Sequence, residues 1–372
     1  MKTFLSKYTI SRDNNFNLVR FIAAFLVLYS HSFDLTLSSI AAEPLKSTLG
    51  MSLGRIAVDI FFITSGFLIT SSYFSRNNLI AFVWARILRI YPALIMAVIF
   101  CVFIIGLWFT TSNTWEYLLN TQTHKFILKN TVLFFGIEYQ LPGVFNDNPS
   151  KNTVNGSLWT LPFEVKMYVI LPFILSIIVY VRKWIIFVTF KNALFLIGLL
   201  SIIIIITNHF QPIFGKQLFF RLFYMFFIGA AFYVWRDRIR LSSGWFFIAL
   251  SLLLVSTINK DVYFVFYCLF LPYLIFYVAY VPSGHVRKFN GIGDYSYGMY
   301  IYGWPVQQSM AAIIPDISVN IMIAYSFIIT LVLSIFSWHL IEKRFLSMKG
   351  SYIYIEKFLQ KIGLIRHCTR RK

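Results

Sequence analysis

The sequence predicts an all-α protein that crosses a membrane about ten times, with both termini on the cytoplasmic side. Three observations carry this. Hydrophobic residues make up 58% of the 372 and charged residues only 13%, about half the charged share of a soluble domain. Apolar stretches of roughly twenty residues recur from end to end, each long enough to cross a hydrocarbon core of about 30 Å as a helix with its backbone bonded internally. Positive charge also alternates between successive connecting segments.

The apolar windows fall at 17–37, 55–73, 89–109, 158–181, 192–207, 218–235, 244–258, 262–281, 295–314 and 320–341. The first follows a basic lead (Lys2, Lys7, Arg12), which gives it a superficial likeness to a secretory leader. The long charged lead, with Arg20 and His31 in or beside the apolar stretch, reads instead as an uncleaved first span. With the N-terminus inside, ten crossings return the C-terminus to the same side. The inner segments then hold 23 of the 33 Lys and Arg: the N-terminus, Arg76 to Arg89, Arg182 to Lys191, Arg236 to Arg240, Arg287 and Lys288, and the tail from Lys343. The outer segments hold six (Lys46, Lys125, Lys129, Lys151, Lys216, Lys260) and the spans the remaining four. Reversing the chain would invert that bias, so the N-in, C-in layout is favoured.

The connecting segments complete the layout. The one sizeable outer loop, 110–157, is rich in turn formers (Pro142, Gly143, Asn146, Asp147, Asn148, Pro149, Gly156). Its apolar piece at 126–137 is too short to span and is expected at the interface or re-entering. Residues 1–345 form one transmembrane domain. Residues 346–372 form a basic cytoplasmic tail, expected as a helix on an anionic inner leaflet. Cys101, Cys268 and Cys368 lie far apart with no metal or redox spacing, and the first two are expected as small buried thiols. The net charge of +19 does not point to nucleic acid, because the positive charges sit in short loops between spans. The partners expected from composition are membrane lipids.

Ionisable side chains inside a span cost several kcal/mol unless paired or solvated. Five stand out: Arg20 and His31 in the first span, Asp59 in the second, Glu164 in the fourth and Arg221 in the sixth. Arg20 and His31 are eleven residues apart, which returns them to within about 20° of one face and roughly 16 Å apart along the axis. They therefore look into one interior from two depths; the ordinary alternative is a snorkelling Arg and a His satisfied by a nearby carbonyl. Counted from the helix ends, His31, Asp59 and Glu164 are expected at similar depth in the outer half. Glu164 shares a face with Tyr168, four positions on. At the inner side Arg86 and Arg89 share a face, a pair suited to the phosphates of a cytoplasmic nucleotide-like donor, or simply the basic flank of a span.

These residues and their neighbours resemble the acyltransferase-3 family of membrane acyltransferases over most of the chain. Arg20, ten residues and His31 look like the family's Arg-x10-His signature. Val58-Asp59-Ile60-Phe61-Phe62 through Ser65-Gly66-Phe67 is similar to its second-span motif, and Arg86-Ile-Leu-Arg89 to its cytoplasmic Arg-x-x-Arg element. Ser157-Leu158-Trp159 through Glu164, continuing to Tyr168 and Pro172, resembles the segment bearing the family's glutamate. Tyr295-Ser296-Tyr297 through Trp304-Pro305, and Glu342-Lys343-Arg344-Phe345, complete the order. Two positions depart: Val165 stands where a second glutamate often follows the first, and Gly303 where a His usually precedes Trp-Pro.

The resemblance implies a bacterial inner-membrane O-acyltransferase, with acetyl-CoA or another acyl-CoA as donor and no metal. The acceptor would be a hydroxyl of a cell-surface glycan, such as O-antigen, capsule or exopolysaccharide, free or lipid-linked. His31, Glu164 and Asp59 are then the catalytic candidates and Arg86, Arg89 and Arg20 the donor-binding ones. Tyr168, Trp159, Ser65 and Trp304 contact the acceptor or support the site. Glu164 or Asp59 would fix the tautomer of His31 or orient the acceptor. Some family members carry a further extracytoplasmic hydrolase-like domain; here the chain ends about 30 residues after its last span, so transfer is expected to finish in the membrane domain or on a separate partner. A transporter or lipid-linked glycan flippase is the rival reading, but it predicts repeats and helices broken in matching halves, and Pro92, Pro172, Pro272 and Pro305 show no such match. A glycan polymerase would carry its key arginines in outer loops.

Overall fold

The computed structural model describes residues 3–11, 13–76, 78–185, 187–213, 215–362 and 364. Ten long helices occupy the ten apolar windows: α1 Phe16–Leu37, α2 Leu53–Arg76, α3 Leu79–Ile99, α4 Leu161–Val181, α5 Phe190–Phe210, α6 Gln217–Val234, α7 Ser243–Ser256, α8 Lys260–Tyr280, α9 Ser296–Ile313 and α10 Val319–Phe336. Among the described residues, eight helical stretches are long and apolar enough to cross a membrane. The two windows outside that group are α7, with only 14 residues, and α9. The reason for α9 is its position: Ser296 through Gln308 are buried without a break. A helix wrapped by protein on all sides meets no lipid, so it tolerates Gly298, Gly303, Gln307 and Gln308 where a peripheral helix would need aliphatic residues.

The closest helix crossing is made by glycine. A Cβ on Gly66 of α2 would lie 1.9 Å from the Phe226 carbonyl oxygen, and one on Gly229 of α6 would lie 2.1 Å from that of Ile63. Only hydrogen at both positions lets the two backbones touch, the small-residue crossing common in membranes. This contact brings Arg221 of α6 beside Asp59 of α2.

One end of the bundle gathers the segments that charge assigns to the cytoplasm. Thr3–Phe4 pairs antiparallel with Arg240–Leu241, Arg287 makes an ion pair with Asp13, and the Asn15 amide donates to the carbonyls of Val278 and Pro282. The described part of the tail packs on the inner end of the bundle. A helix at Tyr352–Lys361 follows a turn that accepts the Trp84 indole N–H at the Met348 carbonyl and the Ser351 hydroxyl, and the Asn78 amide donates to Glu356. Cys101 and Cys268 are free and buried; Cys368 lies outside the described residues.

At the other end the long loop enters the bundle twice. A helix at Thr121–Val132 packs along α3, with the Tyr91 hydroxyl donating to the Val132 carbonyl, so the apolar piece of the loop re-enters. α3 accommodates it with a π-helical turn at Phe100–Gly106. Such a turn leaves carbonyls without their usual partners, and the Tyr117 hydroxyl donates to one of them, that of Val102, at 2.9 Å. The chain then returns to the outer end of α3, where Thr110 donates to the Pro142 carbonyl, and descends again between α3 and α9. On this second descent Asn148 donates to Gln308, Asn155 donates to the Ile301 carbonyl, and Gly156 lies against the Trp304 indole, where a Cβ would come within 2.7 Å. Irregular backbone at this depth is stable only where protein supplies such partners.

Candidate active site: three cavities along the bundle

Three cavities follow one another through the bundle. The inner one, about 260 Å³, is lined by Arg20, Ser65, Arg86, Arg89, Glu164, Tyr168 and Asp294, with Leu346 and Lys349 from the tail closing one side. The outer one, about 540 Å³, holds His31 among residues at the outer ends of α2, α5, α6 and α8. Between them lies a waist of about 30 Å³, room for about one water molecule. Arg20, Ser65 and Glu164 line both the waist and the inner cavity, and Val58 and Tyr300 line both the waist and the outer one.

Arg20 and His31 of α1 therefore face the same axis at two levels, and Arg86 and Arg89 line a different cavity from His31. The expected convergence of three acid–base groups is also corrected. Glu164 lies in the inner cavity with the arginines. Counting depth from an outer helix end misplaces it, because the descending loop carries the chain down before the helix begins. The Thr160 hydroxyl already pairs with Tyr300 at 2.6 Å, and Tyr300 is only four residues, about 6 Å, above the inner end of α9.

Asp59 is corrected as well. Its neighbour Val58 lines the waist and outer cavity, but the next residue turns about 100° away. Asp59 is fully buried against α6 and α8, where it accepts from the Tyr267 hydroxyl at 2.8 Å and lies 3.6 Å from Arg221 Nε. Neither carboxylate touches His31, so neither fixes its tautomer. Among the described residues no hydrogen bond reaches the imidazole. It is placed by Trp304, edge to face at 4.7 Å between ring centres. The turn that carries it is pinned by Gln307, whose amide donates to the Leu28 carbonyl and the Ser32 hydroxyl. Trp304 is fixed in turn by its N–H to the Thr153 carbonyl, and Trp159, on the short helix Gly156–Thr160, lines the same cavity.

The two arginines of the inner pair have different surroundings. Arg89 is bound by Asp294 at 2.5 Å and Glu342 at 3.3 Å. Burial opposes ionisation of Asp294, but Arg89, Arg20 and hydrogen bonds from Ser296 outweigh it and hold its carboxyl below the ordinary range. Arg86 makes no ion pair among the described residues; its guanidinium lies 6.0 Å from the Tyr168 ring and its Nε has no partner. Tyr168 donates to Glu164, and Arg20 lies over Phe61 at 5.4 Å. Cations thus outnumber carboxylates on this wall, as an anionic ligand requires.

Comparison with known proteins bears on this arrangement. The sequence pattern of the family described as "Acyltransferase domain", acyltransferase-3, matches residues 13–341. The chain belongs to the acyltransferase-3 family. It is 28% identical over 354 residues to an O-acetyl transferase of Shigella phage Sf6, covering 93% of this chain and 99% of that protein. It is 31% identical over 187 residues to nodulation protein 10 of Rhizobium leguminosarum bv. viciae, 48% of each. No solved structure matches. The protein is accordingly a multi-pass membrane acyltransferase. Its two departures from the acyltransferase-3 pattern are accommodated differently: Val165 packs against the apolar core, whereas a Cβ on Gly303 would meet only Leu28, at 3.8 Å.

Several residues that build the site are not candidates from sequence alone, although Thr160, Tyr300 and Glu342 fall inside the motifs. Tyr300 and Thr160 form the waist, Gln307 pins the His31 turn, and Asp294 and Glu342 hold Arg89. Glu342 stands in a motif that resembles the family's, so its order was legible although its role was not.

Proposed function

We propose that this protein transfers an acyl group, acetyl in the simplest case, from cytoplasmic acyl-CoA to a hydroxyl of a cell-surface glycan at the bacterial inner membrane. The observation that carries this is the succession of cavities from Arg86 to His31, each sharing lining residues with the next.

In this reading Arg86, Arg20 and Lys349 draw the donor's phosphates into the inner cavity, and Arg89 shapes the wall. The pantetheine arm runs through the waist past Ser65 and alongside Phe61 and Tyr300, whose rings pack edge to face. Arg20 and His31 are separated by roughly 16 Å along α1, comparable to a pantetheine arm of about 15–20 Å, so a donor anchored at the arginines presents its thioester to the imidazole. The acceptor enters the outer cavity. As its hydroxyl oxygen attacks the thioester carbonyl, His31 takes the hydroxyl proton, the C–S bond breaks, and the proton passes to the departing CoA sulfur. Transfer through an acyl-His31 intermediate would use the same contacts. Glu164, held by Tyr168, orders the lower end of the passage, and Trp304 and Trp159 frame the reacting centre. Asp59, buried behind the wall of the outer cavity, holds α6 to α2.

The test is direct. Purified protein is incubated with labelled acetyl-CoA with and without glycan, and surface polysaccharide from cells with and without the gene is compared by mass spectrometry. Acceptor-dependent label and an acetyl mass increment are expected; no label transfer from any acyl-CoA with the increment unchanged in deleted cells would exclude the reading.

A further inference from the structure

Arg55 lies near the outer end of α2 and lines the outer cavity together with Arg221. The carboxylates around these two guanidinium groups are engaged elsewhere. Asp59 is buried behind the wall, between Arg221 and Tyr267. Glu43 accepts the Leu53 amide and the Ser30 hydroxyl, both at 2.5 Å, and so caps α2. Asp261 is paired with His209 at the rim. None of the three lines the cavity. Two cations therefore face one carboxylate, and Arg55 is the one in excess. Among the described residues it makes no ion pair, its Nε is buried without a hydrogen-bond partner, and its guanidinium lies 5.8 Å from the centre of the Phe264 ring.

A half-buried guanidinium that shares Asp59 with Arg221, rather than holding a carboxylate of its own, leaves positive charge on the cavity wall for an anionic ligand to balance. The surroundings suit a sugar. Phe264 stacks on His209 at 4.1 Å, and Trp159 and Tyr300 present further ring surface. Flat rings pack against the C–H faces of pyranoses, while Ser52 and Gln217 offer hydrogen bonds to hydroxyls.

We propose that the outer cavity selects an acceptor carrying an anionic group, carboxylate or phosphoryl, with Arg55 as its counter-ion. This rests on the acceptor side of the function proposed above. An acidic sugar in the glycan and the diphosphate of a lipid carrier present the same chemistry to Arg55, and the experiment separates them.

Full-length protein in detergent is titrated, without donor, with three forms of one oligosaccharide: uncharged, bearing a uronate, and linked to a polyprenyl diphosphate. The expected result is binding at least tenfold tighter for one charged form than for the uncharged one. That preference is erased in Arg55→Gln and partly kept in Arg55→Lys, both checked for a native-like melting temperature. The charged form that gains identifies the source of the anion. Equal binding of all three forms, or a preference that survives Arg55→Gln, overturns the proposal. Labelled acetyl-CoA is then added to the same samples. An Arg55-dependent preference without acyl transfer sustains charge recognition and removes the acyltransferase reading for that glycan.

Discussion

The inner and outer cavities are built on opposite plans. The inner one is half the volume, and part of its charge is locked: Asp294 and Glu342 grip Arg89, and Tyr168 grips Glu164, while Arg86 makes no ion pair among the described residues. The outer one is wide and ring-lined, with its main polar groups unspent: His31 has no hydrogen-bond partner and Arg55 no ion pair among the described residues. On the proposed function, a wall pinned in part by its own ion pairs suits the fixed phosphates of a nucleotide donor. On the same proposal, a roomy cavity with uncommitted groups suits a bulky glycan acceptor.

The comparison can be broken most sharply at His31. His31→Ala should lower kcat by on the order of 10²–10⁴-fold, the usual worth of a general base, with membrane yield unchanged. Labelled acetyl transfer within tenfold of native would remove His31 from the chemistry. Next comes the contrast between locked and free arginine. Arg89→Ala strands one buried carboxylate, Glu342, and one partly buried, Asp294, and should cost about 3–5 kcal/mol of stability, seen as a lower melting temperature in detergent. Ser65→Leu fills the waist and should cut kcat about tenfold, ~1.4 kcal/mol of barrier, while equilibrium binding of acyl-CoA at the inner cavity is retained; a native turnover rate would show that the arm takes another path. Arg86→Ala removes a charge-assisted contact of ~1.5–3 kcal/mol and should raise the KM for acyl-CoA about tenfold or more without shifting the melting temperature. Should Arg86→Ala and Arg89→Ala behave alike, the distinction between them is void. The smallest effect is expected at Gly303→Ala. Its new methyl finds ordinary contact with Leu28, and the helix gains up to ~1 kcal/mol of propensity, so melting temperature and activity should hold or rise slightly.

The helices were legible because lipid imposes the same demand on every span: a long apolar run with few charges. The exception is instructive. α9 reads as the least apolar of the long helices because it never meets lipid, and the same burial makes it the element that carries Tyr300, Trp304 and Gln307. Arg20 and His31 were placed correctly relative to one another because one rigid helix joins them and its pitch is known. Glu164 was misplaced because its depth depends on a loop whose descent is fixed by distant partners, Asn155 on Ile301 and Thr160 on Tyr300, which no local pattern announces. Asp59 failed for a simpler reason: a single step along a helix turns a side chain from the cavity wall to the packed face behind it. Arg89 looked equivalent to Arg86 because its two carboxylate partners lie more than two hundred residues away in sequence.

The narrowness of the waist has a consequence for the cell. A membrane that stores energy as an ion gradient loses it through any continuous water-filled pore, at about 2.3 kcal/mol for each charge falling through 100 mV. A constriction with space for about one solvent molecule, walled by Phe61, Phe62 and Tyr300, insulates the two compartments while the enzyme is at rest. On the proposed function the advancing pantetheine arm would itself fill that constriction, so the protein would bridge the bilayer during each turnover without opening a pore.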